Sequence, residues 1–285
     1  MTMRNNNYGN ITKGKLSAMK KSTLKKIICS FFALILALST VITMPAPVYA
    51  EGTAAYNWYV MRTSDHTLPK AESKYSFISK YNAYYGDQTA AKNGDKVIYL
   101  TFDAGYENGN VERILNTLKK QEVPGAFFIL DNLAKRNPEL VKRMANEGHL
   151  VCNHTKTHPD MTKLTDKASF HLQLSALEDS VRENCGVECA KFYRPPEGKF
   201  SETNLKTASE LGYVTVFWSF AYADWDNDRQ PSREEAIKKI LDNAHPGEIM
   251  LLHPTSKTNA DVLEEVIVRL KADGYRFASL TELIK

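Results

Sequence analysis

Val97-Ile98-Tyr99-Leu100-Thr101-Phe102-Asp103-Ala104-Gly105 decides how this chain is read. The apolar run over 97–102 has the length and the β-branched and aromatic content of a strand buried on both faces. It stops abruptly at a carboxylate, a small residue and a glycine. A second apolar run, over 149–153, stops at His154-Thr155-Lys156-Thr157-His158, with two histidines four apart. A carboxylate at one strand end and a histidine pair at another is how a barrel enzyme assembles a metal-assisted hydrolytic site.

The pattern around these runs is regular. Residues 110–121 carry Val111, Ile114, Leu115 and Leu118 at helical spacing. A strand is predicted over 126–130. A helix follows over 138–147, with Asn137 as its cap, Pro138 in its first turn and Gly148 past its end. Further strands are predicted over 149–153, 192–194, 213–220, 248–253 and 276–279. Helices are predicted over 166–184, 201–211, 232–244 and 259–273. Strands alternating with helices of this length make a parallel sheet with crossover helices. About seven strands in one α/β domain favour a distorted (β/α) barrel over an open doubly wound sheet. No strand is followed by a glycine-rich phosphate loop, so a nucleotide fold has no support.

In barrels the active site lies where the strands end. The residues standing there are Asp103, Asp131, the pair His154 and His158, Arg194, Asp224 with Trp225, and His253. Each has a plain structural reading when taken alone. Asp131 reads as a helix cap, Arg194 before Pro195-Pro196 as a surface turn, and His253 before Pro254 as a satisfied core residue. Groups able to bind, transfer protons or hold charge recur at strand end after strand end, and that recurrence points to chemistry.

The 285 residues suit one sizeable domain plus an appendage. Residues 1–50 have the layout of a signal peptide: a basic segment, an apolar stretch over 27–44, then Pro45-Ala46-Pro47-Val48-Tyr49-Ala50. Cleavage is expected after Ala50. Met19 is an alternative start, and an uncleaved anchor the competing reading. The segment also carries seven of the 37 Lys and Arg and none of the 33 acids, leaving 30 basic against 33 acidic residues, a net charge of −3. The basic balance therefore belongs to the signal, and no nucleic-acid surface is implied. Cys29 lies in the apolar stretch. Cys152, Cys185 and Cys189 form an odd set that excludes a disulfide framework; Cys185 and Cys189 could close one small loop, with free thiols as the default. Residues 51–95 read as an aromatic-rich lead-in that packs across the body of the domain, and 96–285 as the catalytic domain.

The five strand-end motifs together resemble the polysaccharide deacetylase family, the one that includes the nodulation-type (NodB) chitooligosaccharide deacetylases. The motifs are Thr101-Phe102-Asp103-Ala104-Gly105, His154-Thr155-Lys156-Thr157-His158, Arg194-Pro195-Pro196-Glu197-Gly198, Asp224-Trp225 and Leu251-Leu252-His253. Gly105-Tyr106-Glu107-Asn108-Gly109, Phe217-Trp218-Ser219-Phe220-Ala221 and the lead-in look most like the branch that deacetylates N-acetylmuramic acid during muramic δ-lactam formation in spore-cortex peptidoglycan. The resemblance implies a distorted (β/α) barrel of about seven strands, in agreement with the count above. It makes Asp103 the base and Arg194 the charge partner that keeps it ionised. It makes His253 the acid, oriented by Asp224, and turns the backbone N–H of Glu197 toward the oxyanion. His154 and His158 would hold a divalent metal, zinc being the expected ion. Trp225 and Tyr106 would face the sugar or belong to the core. The implied partner is the peptidoglycan glycan strand, met outside the cytoplasmic membrane, in the cell wall or spore-cortex space.

Two departures from the family pattern stand out. Most members have a second aspartate, a metal ligand, where this chain has Ala104, and many have an aromatic at Glu197. Losing one anionic ligand predicts weak, exchangeable metal binding. Two alternatives stand beside the muramic reading: a deacetylase of N-acetylglucosamine in peptidoglycan or chitin-like glycan, and a glycan-binding pseudoenzyme that lost catalysis with the ligand at Ala104.

Overall fold

β3 (Val97–Ala104) forms the centre of the fold, and the chain on either side is arranged around it. The computed structural model describes residues 52–63 and 65–284. The expected signal segment 1–50, with Cys29, lies outside the described residues. In chain order, β1 (Tyr56–Asn57), β2 (Ala83–Tyr84) and a short helix α1 (Gln88–Asn93) precede β3. Then come α2 (Asn110–Gln121), β4 (Ala126–Ile129), α3 (Asp131–Arg136), α4 (Pro138–Asn146), β5 (Leu150–Asn153) and α5 (Lys167–Cys185). The second half holds β6 (Ala190–Tyr193), β7 (Lys199–Phe200), α6 (Glu202–Glu210), β8 (Val214–Val216), α7 (Arg233–Leu241), β9 (Glu248–Leu252), α8 (Lys257–Ala272) and β10 (Arg276–Phe277).

The main sheet runs β10–β3–β4–β5–β6–β8–β2, with β9 also paired to β3, and its ladders are parallel. β4 and β9 flank β3, since Thr101 pairs with Ala126 on one side and Leu251 on the other. The sheet curls until its far edge meets β9 through single bridges, Phe220 with Met250 and Gly86 with Glu248. This is the distorted barrel that the alternation predicts, closed by bridges where a ladder would be.

Alternation along β3 sorts its side chains. Ile98, Leu100, Phe102 and Ala104 pack with Ile114, Leu115 and Leu118 of α2 in the layer between sheet and helices. Val97 and Tyr99 pack with Phe128, Cys152 and Val216 on the inner face of the curl. The period of two then points Thr101 and Asp103 inward as well. Ala104 is wholly buried on the helix-facing side.

The helix starts follow the sequence. Asp166, Ser201 and Ser232 each accept from a backbone N–H of the first turn, and Ser232 and Glu235 form a capping box; each cap contributes about 1 kcal/mol. Asn137 departs from expectation, since its side chain makes no capping bond. Its backbone N–H instead closes α3 on the Leu133 carbonyl, so it serves as the joint between two helices. Asp131 is likewise no cap: it begins α3 and pairs with Lys135 at 2.8 Å. The strand expected over 213–220 keeps only Val214–Val216, because the chain then crosses from β2 to β9: Phe217 donates to Tyr84 and Ser219 to Ile249.

Residues 52–95 supply more than packing. β2 joins the main sheet beside β8, and β1 pairs antiparallel with β7. Their aromatic side chains form a separate cluster with Phe200 and Phe217. Cys152, Cys185 and Cys189 are free thiols.

Candidate active site

The strand ends converge on a cavity of about 600 Å³ lined by Asp103, Tyr106, His154, His158, Glu197, Trp218, Trp225 and His253, among others. Against Asp103 lies Arg194, which follows β6 and is wholly buried. The guanidinium donates to Asp103 Oδ1 at 2.8 Å, Thr101 Oγ1 at 2.9 Å, the Val216 carbonyl at 2.9 Å and the Phe217 carbonyl at 3.2 Å. It lies over the Phe128 ring, 4.2 Å from its centroid. Every acceptor is matched to the planar fork, as burying this charge requires. Burial alone would raise the Asp103 carboxyl; the charge of Arg194 foremost, with that of His253, outweighs it and holds it below its ordinary value.

The histidine pair sits on a tight loop. Asn153 accepts from Thr155 N–H through Oδ1 at 2.9 Å and donates to the Leu174 carbonyl, and Thr155 Oγ1 accepts from His158 N–H at 3.0 Å. Thr155 and His158 have φ of 73° and 59°, a region costly for side chains with a Cβ. The strained loop folds the two imidazoles together, with ring centroids 5.0 Å apart. His154 Nδ1 bonds the Arg194 carbonyl at 2.9 Å, and Nε2 lies 3.6 Å from Asp103 Oδ2. Burial, chiefly, pushes the His154 pKa down to about 4, so the ring is neutral and its Nε2 free to ligate.

Among the described residues no group of three or more His, Cys, Asp or Glu side chains is placed to hold a metal ion. The neutral imidazole of His154 beside His158 fits a divalent cation as a two-ligand, open set, and Ala104 supplies no donor.

Asp224 and His253 form a second pair. His253 Nδ1 meets Asp224 Oδ1 at 2.7 Å and the His253 backbone N–H donates to Oδ2 at 2.8 Å. Burial opposes charge on His253, but the hydrogen bond and charge of Asp224, then the charge of Asp103, raise its pKa. The side chain keeps partial exposure, so it is no core histidine. Asn259, on α8, donates to Asp224 Oδ2 at 2.6 Å and the His253 carbonyl at 3.1 Å, and accepts from the Tyr222 hydroxyl.

Glu197 stands between Pro196 and Gly198 with φ 55°. Among the described residues nothing accepts from its backbone N–H. Its carboxylate turns to Lys199 at 2.6 Å. Trp225 is 61 % and Tyr106 43 % exposed, which removes both from the core. Trp225 lies edge-on to His253 at 6.1 Å, and Tyr106 accepts from Asn227 at 2.8 Å. The residues expected from the motifs are thus brought together; Asp131 lies outside the lining of this cavity.

Residues 90–216 match the polysaccharide deacetylase family model. The chain is 41% identical over 229 residues to the peptidoglycan-N-acetylmuramic acid deacetylase PdaA of Bacillus subtilis, spanning 80% of this chain and 85% of that one. The chain belongs to the polysaccharide deacetylase family. A peptidoglycan-N-acetylglucosamine deacetylase of Bacillus cereus is 33% identical over 216 residues, 74% of this chain and 75% of that protein. The solved structure of Bacillus subtilis PdaA, a family 4 carbohydrate esterase, superposes with a TM-score of 0.77 at 40% identity, covering 81% of this chain and 97% of the other. A family 4 carbohydrate esterase from Bacillus anthracis gives 0.66 at 34% identity, covering 83% and 99%.

As a polysaccharide deacetylase the protein is a hydrolase, and its curled parallel sheet is the fold of the family. Asn259, Thr101 and Trp218 were not legible as site residues from sequence. Asn259 is one asparagine inside an ordinary helix, Thr101 reads as part of a strand, and only tertiary contact reveals their partners.

Proposed function

We propose that the protein removes the acetyl group from N-acetylmuramic acid in peptidoglycan, outside the cytoplasmic membrane, as a step toward muramic δ-lactam in spore cortex. The observation that carries the substrate is the similarity to a peptidoglycan-N-acetylmuramic acid deacetylase over most of both chains. Support for the reaction comes from Asp103 and His253, which line one cavity with their proton affinities pushed apart.

In this reading Asp103, ionised beside Arg194, takes a proton from water as the water oxygen attacks the acetyl carbonyl carbon. The Glu197 N–H faces the oxygen on which charge develops. His253, kept protonated and oriented by Asp224, gives its proton to the sugar nitrogen as the C–N bond breaks. Acetate and a free amine result, and condensation of that amine with the lactyl carboxyl, with loss of water, closes the lactam. Trp225 and Tyr106 offer their faces to the sugar. His154 and His158 are the residues that would hold a divalent cation, zinc being the expected ion, whose charge would lower the pKa of water and polarise the carbonyl.

Acetate release tests the reading. Peptide-stripped glycan strands, intact peptidoglycan and chitooligosaccharides are compared, with zinc, cobalt or manganese added. Release from muramic-containing strands well above that from chitooligosaccharides is expected. Equal rates would overturn the muramic assignment, and no release with any metal would favour a glycan binder.

A further inference from the structure

The segment at the start of the described chain is stitched to the loop that carries Glu197. Trp58, 3 % exposed, donates its backbone N–H to the Gly198 carbonyl at 2.8 Å. Its indole Nε1–H donates to the Trp218 carbonyl at 2.9 Å. Its ring stacks on Phe217 at 4.6 Å with an interplanar angle of 23°. On the near side, β1 pairs with β7, placing Asn57 opposite Lys199 and Tyr56 opposite Phe200. The Tyr75 hydroxyl donates to the Asn57 carbonyl and holds this strap from behind.

The two residues that Trp58 grips matter to the cavity. Gly198 has φ 65°, and a Cβ there would lie 2.8 Å from Trp218 Cη2 and 3.2 Å from Trp58 Cβ. The Gly198 backbone, the Trp218 indole and the Trp58 Cβ are therefore in contact at this point with no room to spare. Trp218 lines the cavity and its ring lies 5.8 Å from the Arg194 guanidinium. Glu197, immediately before Gly198, holds a left-handed φ that a side chain adopts only when its surroundings impose it. Trp58 holds the Gly198 carbonyl just after that turn and, through its indole, the carbonyl of Trp218, whose ring packs against Gly198.

We propose that Trp58 is a positioning residue for the deacetylation: it fixes the Gly198 and Trp218 carbonyls, and through them the direction of the Glu197 N–H. The proposal rests on the reading of that N–H as the oxyanion donor. Removing a preorganised oxyanion donor outright costs about 10²–10³ in kcat, so tilting one by a few tenths of an ångström costs on the order of tenfold. Misdirection of this kind acts on the transition state, so it lowers kcat and leaves KM nearly unchanged.

Trp58→Phe keeps the stack on Phe217 and the backbone bond to Gly198 but removes the indole donor. The expected result is a fall in kcat of about tenfold with KM within about twofold, in a folded protein. In ¹⁵N-labelled protein titrated with sodium acetate, the Glu197 amide resonance should shift less than in the wild type. A variant that keeps the wild-type kcat and the wild-type amide response overturns the proposal, as does a rise in KM with kcat unchanged. Should Trp58→Phe not fold, Tyr75→Phe, which removes only the hydroxyl that holds Asn57, carries the same two readouts, and wild-type values there overturn it equally. Failure of the underlying reading looks different, because the wild type itself would then release no acetate or show no response of the Glu197 amide to acetate.

Discussion

Arg194 meets Asp103 at 2.8 Å with the guanidinium wholly buried and the carboxylate partly open to the cavity. The cation is thus fixed by the fold, while one oxygen of the anion, Oδ2, stays available on the cavity side toward His154. A free carboxylate in so buried a site would tend to take up a proton, and the arginine prevents it. Lysine in place of Arg194 would bring one point charge to a site built for a planar fork with four acceptors. Arg194→Lys should lower acetate release at least about 100-fold. It should also destabilise the protein by about 1–3 kcal/mol in urea unfolding, because the Val216 and Phe217 carbonyls lose their donors.

Asp103→Asn keeps the shape of the side chain and removes the carboxylate proposed as the base. The expected loss in kcat is about 10²–10⁴ with the fold retained by circular dichroism. Wild-type acetate release in this variant would sink the mechanism.

The pH profile follows from two shifts of opposite sign. Asp103 is held below the ordinary carboxylate value and His253 above the ordinary imidazole value. If, as proposed, Asp103 is the base and His253 the acid, activity needs the first ionised and the second protonated, and the working window is widened on both sides. Asp224→Asn removes the main group that raises His253, and the alkaline limb of kcat should move to lower pH. Stability obeys the same signs. The contribution of protonated His253 is fully present below about 6.5 and fades as pH rises through its raised folded value. That of ionised Asp103 is present above about 3.9 and is lost as pH falls through its lowered one. Rates and unfolding midpoints measured across pH in wild type and variant check both statements.

Two imidazoles without a carboxylate at position 104 should bind a cation loosely. Dialysis against chelator is expected to strip the ion, and zinc, cobalt or manganese to restore the rate. His154→Ala and His158→Ala should each abolish the restoration. A stoichiometric metal that survives the chelator, measured by elemental analysis, would contradict this.

Asn259→Ala removes a donor from Asp224 and from the His253 carbonyl and an acceptor from Tyr222. A cost of about 1–3 kcal/mol is expected from the groups left unpaired. The His253 limb of the pH profile should also become shallower, because the dyad is no longer held in one orientation. A profile superimposable on the wild type would show that the dyad is oriented without it.

Much of this was legible in the chain before any contact was known. The strands at 97–104, 126–129 and 248–252 are marked by largely apolar runs, and Asp166, Ser201 and Ser232 announce the helices they cap. These are local effects of burial and hydrogen bonding that neighbouring residues decide. What escaped is two-residue strands such as β1, β2 and β7, which carry no periodicity and exist only because a partner strand lies beside them. The same reason hid Asn137 as a joint in place of a cap, and the crossing of 217–220 from one sheet edge to the other.

The sequence by itself determined the alternation of the longer strands and helices and the charged groups at the strand ends, because these depend on residue type and spacing; that Ala104 stands where a carboxylate is usual came from the family resemblance. The tertiary structure alone decided that Arg194 lies buried against Asp103, that a strained loop turns His154 and His158 together, and that Asn259 and Trp58 support groups far from them in the chain. Those relationships cross about 90 to 160 residues of chain in the pairs Asp103–Arg194 and Trp58–Trp218. No local pattern encodes them, since they arise only when the curled sheet brings its strand ends to one place.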